Sequence, residues 1–336
     1  MGSATCSIER VLKRRGMSLP GLVAGLLLIF LPACAAKPNR FIILSDLHPH
    51  PDQFDELVIL TEHIIRMEPA FLLVLGDMGS DQVPGLSEPE IAAIRPAFDR
   101  IRAAGIEIFP VMGNHDVHPR VEAIKTSWLC AQTPQPLNRL LDVRSDSDAC
   151  RAFTSGGPYC YSLNRAGIHF AVLDSNCTLP GASWEAERAE VQQRRFEAHR
   201  AWMQADLCGH ANNPQRFPTI VFVHHPEYMT GDRRMDERPL YHVLAGCPDA
   251  HTVRAVFGGH WHYGQNFPAD QNLGVQVYAA PASVHPPDTR PREFIVAEVK
   301  PDRITFIPHD SITGRPRLVD KPVRCEPISG SFGRLR

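Results

Sequence analysis

The chain has 336 residues, 43% of them apolar, enough for a sizeable core in one or two domains. Its formal charge is −2 at pH 7 and it carries no long basic run. A nucleic-acid binder would show a basic patch, so nucleic-acid binding is not expected. The 30 prolines and 23 glycines are scattered between apolar segments, which points to many loops rather than disorder.

The first element is a targeting segment. Lys13, Arg14 and Arg15 precede an apolar run from Met17 to Leu31, and Leu31-Pro32-Ala33-Cys34 follows. Pro20 and Gly21 interrupt the run, which is too short for a comfortable membrane span. Two readings stay open. Leu-Pro-Ala-Cys resembles a bacterial lipobox, which makes 1–33 a lipoprotein signal and Cys34 the lipidated first residue, a possible membrane anchor. Ala33-Cys34-Ala35 is also an ordinary A-x-A cleavage site. Met17 is an alternative start with a charge-poor leading region. Loss of residues 1–33 removes four basic residues and one acidic residue and takes the charge from −2 to −5. The expected location is the bacterial periplasm, free or lipid-anchored.

Residues 37–336 are expected to form one domain. Phe41 to Ser45 reads as a buried strand. Asp52 to Met67 reads as a helix with Phe54, Leu57, Val58, Leu60, Ile64 and Ile65 on its buried stripe. Phe71 to Leu75 is a strand, Glu88 to Ala104 a helix closed by Gly105, and Ile106 to Met112 a third strand. Strand, helix, strand, helix, strand predicts a parallel sheet with crossover helices. The stretch at about 117–158 is rich in Pro, Ser and Asp and contains Cys130 and Cys150. It reads as an insertion overhanging whatever the third strand presents. A hairpin follows, with strands 159–163 and 168–173 around Asn164-Arg165-Ala166-Gly167. Ser183 to Leu207 is a long polar helix, Thr219 to Val223 a strand, Arg238 to Cys247 a short helix, and Thr252 to Phe257 a strand. Val275–Tyr278, Phe294–Val299 and Ile304–Ile307 alternate like a terminal antiparallel set.

Short polar motifs follow these strands. They are Ser45-Asp46-Leu47-His48, Gly76-Asp77, Gly113-Asn114-His115-Asp116, His224-His225-Pro226 and Gly259-His260-Trp261-His262. Carboxylates mixed with imidazoles suit divalent first-row metals. Asp46, His48, Asp77, Asn114, His224, His260 and His262 are too many ligands for one ion and suit two that share a bridge. In open α/β sheets, ligands collect beyond the carboxyl ends of strands, so convergence of these residues is expected. Two metals close together suit phosphoester hydrolysis.

The five motifs, in this order, resemble the calcineurin-like metallophosphoesterase superfamily from Phe41 to about His309. The resemblance implies an αββα fold, a β-sandwich flanked by helices. It implies that Asp46, His48, Asp77 and His262 hold one metal and Asp77, Asn114, His224 and His260 the other. Asp77 would bridge, and a metal-bound water would be the nucleophile. Manganese, iron and zinc all fit the ligand types, as two divalent or trivalent ions. The family usually has Asp or Asn three residues after the bridging Asp, where this chain has Ser80 with Asp81 one further on. His115 resembles the histidine that stabilises or protonates the leaving oxygen, and Asp116 is a candidate to orient its ring. His225 is a candidate to support the ligands, and His50, His118 and His285 to touch substrate. His63, His169, His199, His210, His242, His251 and His309 are read as structural or surface residues. Trp261 either lines a pocket or packs.

The expected activity is hydrolysis of a small phosphoester, with phosphodiesters favoured. Ala280-Pro281-Ala282-Ser283 after the last ligand pair resembles the branch containing cyclic-nucleotide phosphodiesterases. Sphingomyelinase-like enzymes share the ligand set. The alternative is a non-catalytic metal-binding or scaffold relative, which would have no need of His115. Seven cysteines remain beyond Cys34, and an exported chain should pair most of them. Cys208 and Cys247 each end a helix that precedes a strand, so a disulfide is expected there, at the face opposite the site. Cys130, Cys150, Cys160 and Cys177 would pair among themselves, leaving Cys325 free.

Overall fold

Successive residues of Phe41-Ile42-Ile43-Leu44 feed two different apolar layers, and that alternation organises the molecule. The computed structural model describes residues 39–50, 53–78, 88–116, 160–177, 189–231, 238–249, 251–270, 273–284, 291–317, 322–326 and 332–335. All belong to one compact unit, Pro38–Arg336. The signal segment, the insertion at 117–158, Ser80, Asp81, His118 and His285 lie outside the described residues.

Six strands make a first sheet: β1 (Arg40–Leu44), β2 (Phe71–Val74), β3 (Glu107–Pro110), β10 (Glu293–Lys300), β11 (Arg303–Asp310) and β12 (Val323–Cys325), in the order β12-β11-β10-β1-β2-β3. β1, β2 and β3 are parallel, joined by α1 (Phe54–Met67) and α2 (Glu88–Ala103), as the rhythm of the sequence predicts. Gly105 closes α2 in the left-handed region, φ +78°.

A second sheet runs β4-β5-β6-β7-β9-β8. It contains β4 (Tyr161–Arg165), β5 (Ile168–Val172), β6 (Thr219–Phe222), β7 (Val253–Gly258), β8 (Gln265–Asp270) and β9 (Val275–Ala279). On its outer face lie α3 (Ala189–Met203), which continues into a π-helical turn at Gln204–Cys208, and the short helices α4 (Glu227–Thr230) and α5 (Pro239–Ala245).

Phe41, Ile43, Phe71 and Phe109 of the first sheet meet Phe170, Phe222 and Phe257 of the second in a shared inner core. The Phe41 and Phe71 rings stack at 4.9 Å, and Phe170 meets Phe41 edge-on at 5.4 Å. The alternate residues Ile42, Leu44, Leu72 and Val74 pack on Leu57, Leu60 and Ile64 of α1 and Phe98 and Ile101 of α2. Val221, Val223 and Val256 turn the other way, onto Met203, Leu207, Leu240 and Leu244. The result is the expected helix–sheet–sheet–helix stack.

The structure differs from the sequence reading in places. Val58 is exposed, off the buried face of α1. The β4–β5 hairpin turns on two residues, Ala166 and Gly167, both with positive φ (54° and 76°). Such turns match strand twist, so Asn164 and Arg165 stay in the strand. β9 is not part of a terminal set with β10 and β11. It lies parallel to β7 in the other sheet, paired with β8, which mixed polar and apolar residues hid. Cys208 and Cys247 are bonded, Cα atoms 5.2 Å apart, just before β6 and β7. Cys325 is free as expected, but so is Cys160, buried at the start of β4 instead of paired. Among the described residues no helix is long and apolar enough to cross a membrane.

Candidate metal centre

β1, β2, β3, β6 and β7 all end at the same side of the sandwich. Asp46, Asp77, Asn114, His224 and His260 follow them within four residues. The loops after neighbouring strands of each sheet are held together by main-chain bonds. Asp46 N donates to Gly76 O at 3.2 Å, His48 N to Asp77 O at 3.2 Å, and Gly259 N to His224 O at 2.7 Å.

Five of the seven expected ligands, Asp46, His48, Asp77, His260 and His262, have positive φ, between 31° and 69°. Non-glycine residues seldom adopt this conformation, and such residues cluster at functional sites. Asp116 supports one of the turns. Its Oδ2 accepts from Asp77 N at 2.7 Å and Gly113 N at 2.8 Å, and its Oδ1 accepts from Met78 N at 2.9 Å. Its carboxylate therefore builds the Asp77 and Gly113 loops, a task the sequence did not suggest.

The ligand side chains converge on Asp77. Its Oδ2 lies 3.1 Å from His224 Nε2 and 3.3 Å from His48 Nε2. Asn114 Oδ1 lies 3.0 Å from His224 Nε2 and 3.1 Å from His260 Nδ1. His262 Nε2 lies 3.6 Å from Asp46 Oδ1. Asp46, His48, Asp77 and His262 place one ligand atom each within 4.8 Å of one another, and so do His224, His225 and His260. All seven sequence-predicted ligands thus meet in one cluster.

The donor chemistry of the two neighbouring groups fits divalent metal ions. His224 Nδ1 donates to Leu75 O at 2.8 Å, which leaves Nε2 as the coordinating nitrogen. Burial lowers His260 to about 4, helped by the His224 charge, and lowers His225 and His262, so these rings are neutral at physiological pH. Burial pulls His224 down as well, but the adjacent Asp77 carboxylate more than offsets this and raises it to about 9. Burial would raise Asp77, yet His224 and His48 hold it well below the usual carboxylate range. A cation at the bridge would take over the role that the His224 proton plays here.

His115 lies beside the cluster. Its ring meets His48 edge-on at 5.0 Å, and its backbone N donates to Asp77 Oδ1 at 2.9 Å. Its Nδ1 is buried and makes no hydrogen bond. His225 stands closer than expected, 4.4 Å from the His260 ring, with Nδ1 fixed by Ser175 Oγ at 2.6 Å. His50, half-buried, takes its N–H to Gln53 Oε1 at 3.3 Å. Trp261 packs on Phe267 and donates its indole N–H to buried Glu227, tying the His224 loop to the His260 loop. The sequence reading gave no role to Glu227, Ser45 or Ser175, and took Ser283 only as part of the Ala280-Pro281-Ala282-Ser283 motif. Ser45 Oγ bonds Asp46 Oδ2, and Ser283 Oγ accepts from Ser45 N at 3.1 Å. Adjacency to a ligand is the one sequence signal for Ser45, and Ser175 has none.

The fold and this cluster define a metal-dependent phosphoester hydrolase. A model of the calcineurin-like phosphoesterase family matches residues 39–264, and the chain belongs to that family. Among solved structures, the fold is similar to a dimetal phosphatase from Danio rerio, with TM-score 0.60 and 14% identity over 86% of this chain and 99% of that one. It is also similar to GAP50, the anchor in the inner membrane complex of Plasmodium, with TM-score 0.52 and 13% identity over 85% of this chain and 88% of that one. No curated protein matches the sequence at a significant level.

Proposed function

We infer that the chain is an exported phosphodiesterase with a dinuclear metal site. The observation that carries this reading is the meeting of all seven donors, Asp77 among them, in one cluster with the His115 ring beside it. Asp46, His48, Asp77 and His262 would hold one ion, and Asp77, Asn114, His224 and His260 the other. Manganese, iron and zinc are the candidates. When bound, such ions lower the pKa of water towards neutrality and offset charge on phosphoryl oxygens. The chain's own residues supply the rest. Asp77 places a carboxylate between the two donor groups. His224 and His260 present fixed nitrogens, and Asp116 keeps the Asp77 turn in shape. His115 gives a proton to the departing oxygen, which a scaffold protein would not require.

Diester preference is supported by Ala280-Pro281-Ala282-Ser283, whose serine is built into the metal end of β1. Hydrolysis of bis(p-nitrophenyl) phosphate and of p-nitrophenyl phosphate, each with and without added manganese, tests the assignment. The expected result is metal-dependent activity, faster on the diester. No metal-dependent hydrolysis of either would return the chain to the scaffold reading. Export rests on Lys13 to Cys34, and lipid anchoring on Leu31-Pro32-Ala33-Cys34. If Cys34→Ser leaves mass and membrane fraction unchanged, anchoring is refuted.

A further inference from the structure

A cavity of about 310 Å³ begins one residue beyond ligand His262. It lies where the second sheet's β8 and β9 approach the first sheet's β10, β11 and β12. Tyr263, Tyr278 and Phe306 supply aromatic wall, and Asn266 and Glu293 supply polar edge. Main-chain bonds tie it to the metal centre. Ala282 N donates to His262 O at 3.2 Å, and Glu293 N donates to Ala282 O at 3.0 Å. Ser283 Oγ donates to Glu293 O at 3.0 Å and accepts from Ser45 N, next to ligand Asp46. The cavity and the ligand loops are thus neighbouring parts of one frame.

We propose that this cavity receives a flat, uncharged organic group, the one that stays on phosphorus when the other ester bond breaks. This rests on the diesterase reading. The side of the site supports it. His115 and His262 are separate neighbours of the His48 ring, at 5.0 Å and 4.9 Å. His115 serves the departing oxygen, and the cavity adjoins the His262 loop instead, which suits the retained group. Size agrees, since about 300 Å³ is the lower end of small-ligand sites and suits a single ring. Aromatic walls suit a flat group. Charge agrees as well. Glu293 Oε1 pairs with Arg317 Nε at 2.9 Å, and Arg317 also serves Asp310 at 3.1 Å, so among the described residues two acids share one cation here. That balance of described residues disfavours an anionic occupant. Burial raises the Tyr278 hydroxyl, with Glu293 adding to the shift, so it stays a phenol and a hydrogen-bond donor.

The test uses two readouts on metal-loaded enzyme. Methylphosphonate and phenylphosphonate mimic the retained fragment and cannot be hydrolysed, so calorimetric binding is independent of turnover. Burying a phenyl ring in this cavity should tighten binding about tenfold over methyl. A 4-carboxyphenyl group should lose that gain. Asn266→Trp fills the cavity from an exposed position and Tyr263→Ala removes a wall. Both should bring phenylphosphonate to the methyl value while leaving methylphosphonate unchanged. In turnover, phenyl and methyl p-nitrophenyl phosphate share a leaving group. The phenyl diester should have the lower KM in wild type only. Equal binding of the two phosphonates, or a phenyl advantage that survives both substitutions, overturns the cavity assignment. Hydrolysis of neither diester, with the phosphonate difference intact, overturns the diesterase reading while the cavity stands.

Discussion

His115 is the residue whose chemistry separates an enzyme from a metal-binding relative. Its side chain belongs to no donor group, and the bond it gives Asp77 comes from its backbone. His115→Ala should therefore keep the full metal content. General acid help is worth about 10²–10⁴-fold where a leaving group needs a proton. The variant should lose much activity on alkyl esters and less on p-nitrophenyl esters, whose anions leave readily. An equal loss on both, with metals retained, would give His115 a positioning role instead. A second prediction concerns His224, raised to about 9 by Asp77 in the metal-free site. Below that pH a metal must displace the His224 proton, so apparent affinity should climb about tenfold per pH unit towards pH 9 and then flatten. Calorimetry in buffers of different ionisation enthalpy should detect close to one proton released at pH 7 on filling the second donor group. No release would contradict the His224 assignment. At this scale the meeting of the seven donors was readable because the motifs follow strand ends. Ser175 and the main-chain role of Asp116 were not, because their work is done on the main chain or on a distant ring, and sequence does not carry such pairings.

At the scale of elements, strands end where chemistry begins. β1 and β2 were legible because Phe41-Ile42-Ile43-Leu44 and Phe71–Val74 are continuous apolar runs buried on both faces. β8 was not, because Gln265-Asn266-Phe267 sits at a sheet edge where one face meets solvent. β9 was assigned to the wrong sheet, since its alternation fits either neighbour and only tertiary pairing decides. The glycines of the ligand loops hold a tighter constraint. A Cβ on Gly113 would fall on the Asp77 carboxylate, and one on Gly259 on Ser45 Oγ and the Asp46 carboxylate. Gly113→Ala should therefore lose metal while keeping native circular dichroism, and retention of both metals would contradict the close-packed turn. The Cys208–Cys247 bond acts at the other end of β6 and β7. It closes a separation of 39 residues. Removing it should lower stability by about 4 kcal/mol on loop entropy. Cys208→Ser/Cys247→Ser should thus lower Tm but leave metal content and KM unaltered. A changed metal content would mean the disulfide and the site are coupled.

Among the described residues the molecule is two six-stranded sheets whose parallel strands point their carboxyl ends at one place. The aromatic inner core fixes the sheets against each other, and donors from both meet within a hydrogen-bond length. Rigid elements of this kind hold a site's donors in place. Asp77 is the residue on which the proposed assignment depends, since both ions would share it. Elemental analysis of fully active enzyme is the direct measurement. The account predicts two metal ions per chain in the wild type and loss of both in Asp77→Ala, with hydrolysis lost in parallel. One ion per chain at full activity, or an Asp77→Ala variant that keeps its metals and its activity, would contradict it.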